Sequence, residues 1–531
     1  MRQRRLIFIA ASLALVLTCP ASWARAQGEA KAAPAVLRIG TPNEVKVPNI
    51  FTDYYLGLFA HVSNPPLMRM TSDGTLTGLV AESWAVSADN TVWTFTVRDD
   101  LYWSDGMKLT AEDVRFSVEY TGTNNAAARW IKDTLKESRV EGRNAVFAFT
   151  KPYAALALEF ATYIILPKHV WEGVKDPARY SNPDGNVGCG PFVVERVDTA
   201  SGAVRFGRNP YWKGARPKID GYEVQCYKNA EVLALALEKG DVDTYYAYAA
   251  SYPYAGIERL KSTGRFEFVE KANLGLPLLA FNLKKAPFDD RDFRDAFSYA
   301  LDYAEIAKLD ALGYGKTATR GFVPPGMGGY AEKPALVHDP VRARELLSAA
   351  GYRDGNGNGW LEDRAGKEMT LSILIRAEQS RVAELVKDYL SKVGIRAEIR
   401  SLDMNAWVAA KDRYDYGLTI ARTTPWGMLM HAGWGTGYFD SRRTGQGVLH
   451  VLDDPVFLDL ADRILAVADP VKRESFAAEV QDYYARELPG IALYWNMAVT
   501  PYNKAFSGWR PDPLYGIYNI ETLTAVERNK G

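Results

Sequence analysis

Three cysteines and five histidines in 531 residues leave little material for a metal cage or a disulfide framework. The histidines, at 61, 169, 338, 431 and 450, lack the paired spacing that zinc sites use. No Cys-x-x-Cys and no Gly-x-Ser-x-Gly occurs, so redox and nucleophile-elbow chemistry have no sequence frame. Gly315-Lys316-Thr317 imitates the end of a P-loop, but Asp310 stands where the leading glycine belongs, which speaks against ATP there. Charge of neither sign is in excess: 64 Lys and Arg face 64 Asp and Glu without a basic block, which argues against a nucleic-acid partner. Beyond the N-terminal segment no apolar run approaches the ~18 residues a membrane span needs, and there is no internal repeat. These absences lead to the expectation of a protein that is not an enzyme and carries no cofactor or resident metal.

What is present begins with an address. Arg2, Arg4 and Arg5 precede the apolar run Leu6 to Thr18, and Ala24-Arg25-Ala26 supplies a small-x-small cleavage pattern. Residues 1–26 therefore read as a secretory signal peptide, cleaved after Ala26 and delivering the chain to the periplasm. Val16-Leu17-Thr18 offers no small residue ahead of Cys19, which favours soluble export over a lipid anchor. Cleavage removes four arginines and no acids, leaving 60 basic against 64 acidic residues, a net of about −4. Cys189 and Cys226 would remain, and in an exported protein they could pair or stay as thiols.

The clearest local pattern runs from Leu79 to Ser117. Ala81 to Trp84 reads as a short helix or turn. Thr91 to Arg98 alternates strictly, with Trp93, Phe95 and Val97 on one face, as a half-buried strand does. Asp105-Gly106 marks a turn, and Thr110 with Asp113 forms a capping-box variant ahead of a helix from Ala111 to Tyr120. Further on, strands at Val36–Gly40, Asn144–Thr150, Phe192–Val197, Ile219–Tyr227, Leu278–Asn282, Thr370–Ile375 and Ile395–Ser401 alternate with helices. Those helices are expected at Ala154–Tyr163, Ala230–Lys239, Arg291–Leu301, Pro340–Ala350 and Ser380–Val393, with two more at Pro455–Val467 and Pro470–Glu487. Gly490 to Tyr494 reads as a final strand. Strand–helix–strand order with short connections implies α/β layers. Asp354-x-Asn356-x-Asn358-Gly359 imitates half a calcium loop, yet Ala365 replaces the bidentate glutamate, so a hairpin turn is the expectation.

Several elements then recur in a family's order. They are the Leu79–Ser117 stretch, Gly188-Cys189-Gly190-Pro191, Asn209-Pro210-Tyr211-Trp212, the helix ending in Gly240 and followed by Asp243, the strand ending at Asn282, and Asp339-Pro340 through Ala350-Gly351-Tyr352. Together they resemble the bacterial peptide/nickel/opine solute-binding proteins, the receptors of a large group of ABC importers. The resemblance implies a two-lobed periplasmic-binding-protein fold with a hinge and an extra subdomain, its mixed β-sheets flanked by helices. Lobe one would comprise residues 27–280, including an inserted subdomain at about 76–187, completed by 490–531; lobe two would comprise 281–489. The expected role is capture of a peptide or peptide-like solute between the lobes and its delivery, by a monomer, to permease subunits in the inner membrane. Receptors for a nickel chelator or another carboxylate-bearing small molecule are the alternative, and an exported hydrolase is the reading from another class.

The loop after the strand Tyr416–Ile420 is the candidate for ligand contact. It carries six glycines between 421 and 447, interleaved with Arg422, Thr423, Trp426, His431, Trp434 and Tyr438. Glycines admit a ligand close to backbone, and rings cover its flat faces. Peptide-binding relatives generally place an acid here for the ligand's α-amino group, whereas this chain has none between Arg422 and Tyr438. Arg422 suits a carboxylate instead. Arg129 and Trp130 form a second Arg/aromatic pair, roughly where nickel-chelate receptors carry one.

Overall fold

The alternation at Val92–Val97 is present in three dimensions: Trp93, Phe95 and Val97 are buried, while Val92, Thr94 and Thr96 are only partly covered. The computed structural model describes residues 34–529 apart from 44–48, 50, 52–58, 74, 126–127, 153–155, 183–185, 228, 248–249, 273–274, 327–328, 423–452, 468 and 513–514. The signal segment 1–26 lies outside the described residues, and so do Thr423, Trp426, His431, Trp434 and Tyr438.

Three larger sheets organise the described chain. The strand Val92–Val97 belongs to an antiparallel sheet of four, ordered Ala81–Val86, Val92–Val97, Asn144–Phe149, Leu135–Glu141. The helix Ala111–Asn124 covers it, opened by the Thr110 backbone N–H donating to the Asp113 carboxylate at 2.8 Å. Trp93, Phe95, Trp103, Phe147 and Phe160 fill the core between them. Ala81 to Trp84 is not a helix or turn but part of the edge strand, in which every residue after Ala81 is exposed. An edge strand with water on both faces has no reason to alternate, so its sequence carries no period-two signal. The helix expected over Ala154–Tyr163 is confined, among the described residues, to Leu156–Glu159.

The second sheet has eight strands. Along its path lie Phe266–Ala272, Tyr494–Asn503, Thr244–Tyr245, Val36–Thr41, Gly221–Cys226, Ala203–Arg208 and Phe192–Asp198, with Gly315–Thr317 paired separately to Tyr494–Asn503. Two motif elements lock together at its edge. A Cβ on Gly188 would lie 2.4 Å from the Ser63 carbonyl oxygen, and one on Gly190 would lie 1.9 Å from that of Val62. Only glycine allows that approach. Asn209 then donates from Nδ2 to the Gly190 carbonyl at 2.9 Å and accepts from the Tyr211 N–H at 2.9 Å, which fixes the Asn-Pro turn against the glycines.

The third sheet is five-stranded and ordered Arg396–Leu402, Thr370–Arg376, Leu418–Arg422, Pro277–Phe281, Gly490–Ala492. The helices Arg291–Ala300 and Ser380–Ser391 contribute Phe293, Phe297, Val386 and Leu390 to its core. Asn282 holds the neighbouring turn by donating to the carbonyls of Tyr414 and Tyr416 at 3.2 and 2.9 Å. The helix Pro470–Glu487 ends against three arginines. Arg320 donates to the Ala485 carbonyl, Arg291 to that of Arg486, and Arg294 to those of Glu487 and Leu488. They satisfy carbonyls that a helix end leaves without intrahelical donors.

The Asp354 loop is a hairpin turn, as expected. The Asp354 carboxylate accepts from the N–H groups of Gly357, Asn358 and Gly359 at 2.7, 3.0 and 2.9 Å, and Arg353 bridges to Glu362 behind it. Cys189 packs in the core of the four-stranded sheet and Cys226 ends a strand of the eight-stranded one; the two are not joined by a disulfide.

Candidate functional site

Two stretches of chain pass side by side from one large sheet to the other. On one, Phe266–Ala272 of the eight-stranded sheet leads to Pro277–Phe281 of the five-stranded sheet. On the other, Gly490–Ala492 leads back to Tyr494–Asn503, with Leu493 alone between them. The passages run antiparallel: Ala272 is opposite Met497, Leu278 is opposite Ala492, and the Leu493 N–H donates to the Pro277 carbonyl at 2.9 Å. Gly490 to Tyr494 is therefore not one strand but two, assigned to different sheets and divided at Leu493.

Arg422 sits at this junction. It is the last residue of Leu418–Arg422 and lies opposite Pro277 in the register, so Arg422, Pro277 and Leu493 follow one another across three neighbouring chain segments. Arg422 is partly buried as a residue with its Nε wholly withdrawn from solvent, and loss of water holds its pKa below the usual arginine range. The phenols of Tyr254, Tyr245 and Tyr494 favour its charge, and Arg376 opposes it. Burial raises the pKa of all three phenols, which keeps them neutral hydrogen-bonding groups at ordinary pH.

The tyrosines are themselves held. Tyr254 donates to the Met497 carbonyl at 2.6 Å, and its ring stacks on Tyr314 with centroids 4.9 Å apart and planes 12° from parallel. Tyr314 in turn accepts from the Met497 N–H at 2.9 Å, and Gly315–Thr317 pairs with Tyr494–Asn496. Tyr494 donates its hydroxyl proton to the Asp310 carboxylate. Burial pushes the Asp310 pKa up, with the Tyr494 bond and Arg381 acting against that shift. A guanidinium under the influence of neutral phenols can grip an anionic group bidentately, with rings available to pack on its carrier.

Of the residues singled out from sequence, Arg422 alone among the described ones falls at this junction. Trp130 is a core residue of the helix Arg129–Thr134: its ring packs against Phe149 at 6.0 Å, and its indole N–H donates to the Tyr163 hydroxyl at 3.3 Å. Arg129 is exposed beside Asp133, at 3.6 Å. That pair belongs with the four-stranded sheet, whereas the groups coupled to Arg422 come from the two larger sheets and their connections. Tyr245, Tyr254, Asp310 and Tyr494 were missed. The tyrosine-rich run from 245 to 254 was the one signal available for two of them. Among the described residues, no three His, Cys, Asp or Glu side chains converge where a metal ion could be held.

The model of the bacterial extracellular solute-binding proteins, family 5, matches residues 75–444, more than half of the sequence. The chain belongs to that family. A glutathione-binding protein, GsiB, of Salmonella typhi is 24% identical over 470 residues, covering 86% of each chain. A probable D,D-dipeptide-binding periplasmic protein, DdpA, of Escherichia coli K12 is 25% identical over 464 residues, covering 84% of each. Among solved structures, the oligopeptide-binding protein AppA of Bacillus subtilis, in complex with a nonapeptide, superposes with a TM-score of 0.79 at 19% identity. It covers 94% of this chain and 100% of its own. The two-lobed fold of periplasmic binding proteins is thus this chain's fold.

Proposed function

We propose that this family member captures a peptide or peptide-like solute carrying an anionic group, between lobes at about 27–280 with 490–531 and about 281–489, and hands it to an ABC permease. The observation that carries this reading is Arg422, set where both passages between the sheets meet and within the influence of phenols carried by the eight-stranded sheet and its connections. Enclosure by lobes that close about such a junction is the familiar way to sequester a small solute. The relatives that bind glutathione and D,D-dipeptides carry carboxylates on their solutes, which fits a guanidinium as the fixed point. Residues Thr423, Trp426, His431, Trp434 and Tyr438 are proposed to wall the same cleft, with the chain acting as a periplasmic monomer after cleavage at Ala26. A catalytic role is not proposed.

The missing acid between Arg422 and Tyr438 favours a second reading, in which the solute is a carboxylate-rich chelate recognised without a free amine. Native mass spectrometry of protein purified without denaturation, followed by calorimetry with reduced glutathione, di- and tripeptides and a nickel–histidine complex, separates the two. Binding of glutathione or a short peptide is expected. An uncharged oligosaccharide as the co-purified solute would overturn the anionic-solute reading, and turnover of any solute would overturn the receptor reading.

A further inference from the structure

We propose that the strand Ala81–Val86 is a self-association edge: two copies of the chain pair antiparallel about Ala85 and join their four-stranded sheets into one of eight. This goes beyond the solute reading and leaves it untouched. The chain that hands over solute is the monomer of that reading, and pairing belongs to concentrated protein.

The edges of the three larger sheets differ in how they are guarded. An edge strand offers unpaired N–H and C=O groups to any passing chain, and charged side chains are the usual protection. Phe266–Ala272 and Phe192–Asp198, at the two ends of the eight-stranded path, carry three charged residues each, as does Arg396–Leu402 of the five-stranded sheet. Gly490–Ala492, at the other end of that sheet, is short and buried. Leu135–Glu141 of the four-stranded sheet carries four charges. Ala81–Val86, the opposite edge of that same sheet, has Glu82 alone. Glu82 sits at a break in register with Val92–Val97 and is paired to Arg143 at 2.6 Å.

The groups that this edge presents follow from the ladder. The Ser87 N–H donates to the Val92 carbonyl at 2.9 Å, so residue 87 faces into the sheet. By the alternation of antiparallel strands, Ala85 and Ser83 face in as well, while the N–H and C=O of Trp84 and Val86 point away. The side chains of Trp84 and Val86 lie opposite Phe95 and Trp93, on the core face. They are nevertheless 38% and 42% exposed, so the core face is uncovered along this margin.

A second copy fits the edge because the pattern is self-complementary. Pairing about Ala85 sets Trp84 of each copy opposite Val86 of the other and engages all their outward N–H and C=O groups. An aromatic ring against a β-branched side chain is a favourable cross-strand pair. Centring on Trp84 instead would place the outer bonds at the break beside Glu82. Centring on Val86 would place them at Ala88, inside the turn closed by the Asn90 N–H donating to the Ser87 carbonyl. In the Ala85 register Glu82 meets Ala88 and Asp89 meets Ala81, so no like charges oppose one another. One strand pair falls short of the ~1,200 Å² that stable interfaces bury, which makes the association weak and reversible.

The test uses full-length mature protein. Ala85 and its mate form a pair without hydrogen bonds, with Cα atoms ~4.5 Å apart and within disulfide reach. Ala85→Cys under mild oxidation is expected to give a dimer linked through the introduced thiols, identified by peptide mass spectrometry. Ser83→Cys, also exposed but opposite Ser87 of the second copy, should give about ten-fold less. Wild type, which retains Cys189 and Cys226, is the blank. Sedimentation equilibrium of wild type should show a dimer that grows with concentration. Trp84→Lys and Val86→Lys should each weaken that association about ten-fold, with the melting temperature unchanged. A wild type that sediments as monomer at every concentration overturns the proposal. So does equal cross-linking of Ala85→Cys and Ser83→Cys, or a dimer indifferent to both lysines. Any of these results would leave the solute reading standing, because calorimetry with solute decides that one.

Discussion

Arg38 and Asp243 are joined four ways. The Arg38 side chain donates from Nε and Nη2 to the two carboxylate oxygens at 3.0 and 2.8 Å, the Arg38 N–H donates to Oδ2 at 2.9 Å, and the Asp243 N–H donates to the Arg38 carbonyl at 2.7 Å. The first strand is thus fastened to the segment that follows the helix Ala230–Lys239. Asp243 is buried and Arg38 is substantially exposed. Removing the arginine strands a buried carboxylate, so Arg38→Ala should cost about 3 kcal/mol or more. Urea unfolding at neutral pH measures it, and a loss near zero would mean that the pair is ornamental.

The three arginines at the end of Pro470–Glu487 differ in burial, and their costs should follow. Arg294 is buried and donates to three carbonyls, those of Glu487, Leu488 and Phe288. Arg294→Ala should cost roughly 3 kcal/mol, because it leaves several buried acceptors unsatisfied. Arg291 reaches a single carbonyl from an exposed position, and Arg291→Ala should cost less than about 1 kcal/mol. Thermal melts of the two variants give the order.

Two glycines offer a contrast in cause. Gly190→Ala drives a methyl into the Val62 carbonyl and should cost roughly 3 kcal/mol or prevent folding. Gly366 has φ +79° with open space around it, so Gly366→Ala meets only backbone strain, about 1 kcal/mol. Unfolding midpoints for the two should differ accordingly.

The raised pKa of Asp310 sets a pH trend. Between the unfolded and folded pKa values the native state holds more protons than the unfolded chain, so this residue's contribution falls as pH rises. Its stabilising share is present below the ordinary carboxylate pKa and is lost as pH climbs through the raised one. Asp310→Asn should therefore flatten the decline of stability from acid toward neutral pH, read from urea midpoints across that range. An identical slope in wild type and variant would contradict the assignment.

Arg422→Ala should weaken a carboxylate-bearing solute by ~1.5–3 kcal/mol, the scale of a hydrogen bond to a charged group. Calorimetry on the solute recovered by native mass spectrometry checks it. Equal affinity would remove Arg422 from the site.

Much of the architecture was legible because burial writes itself into period and punctuation. Trp93, Phe95 and Val97 announced a half-buried strand, and the α/β order with its Gly-x-Gly-Pro and Asn-Pro turns carried the family resemblance. Ala81–Val86 was not legible, since an exposed edge strand is under no demand to alternate. Nor was the change of sheet at Leu493, because the run Gly490–Asn503 is apolar nearly throughout and period says nothing about which sheet a strand joins. Arg422 could be singled out as the cation that opens an aromatic loop. Its surroundings could not, because Tyr245, Tyr254, Asp310 and Tyr494 come from separate parts of the chain and meet only through strand pairing.

The single residue between Gly490–Ala492 and Tyr494–Asn503 has a mechanical consequence. Any turning of one sheet against the other must be absorbed on that passage within the dihedrals around Leu493, whose side chain is wholly buried. The neighbouring passage has four residues, 273–276, between its strands over which to share the same rotation. Leu493 therefore works as the pin of the joint and the other passage as its strap, so that torque applied by a captured solute converges on one peptide plane.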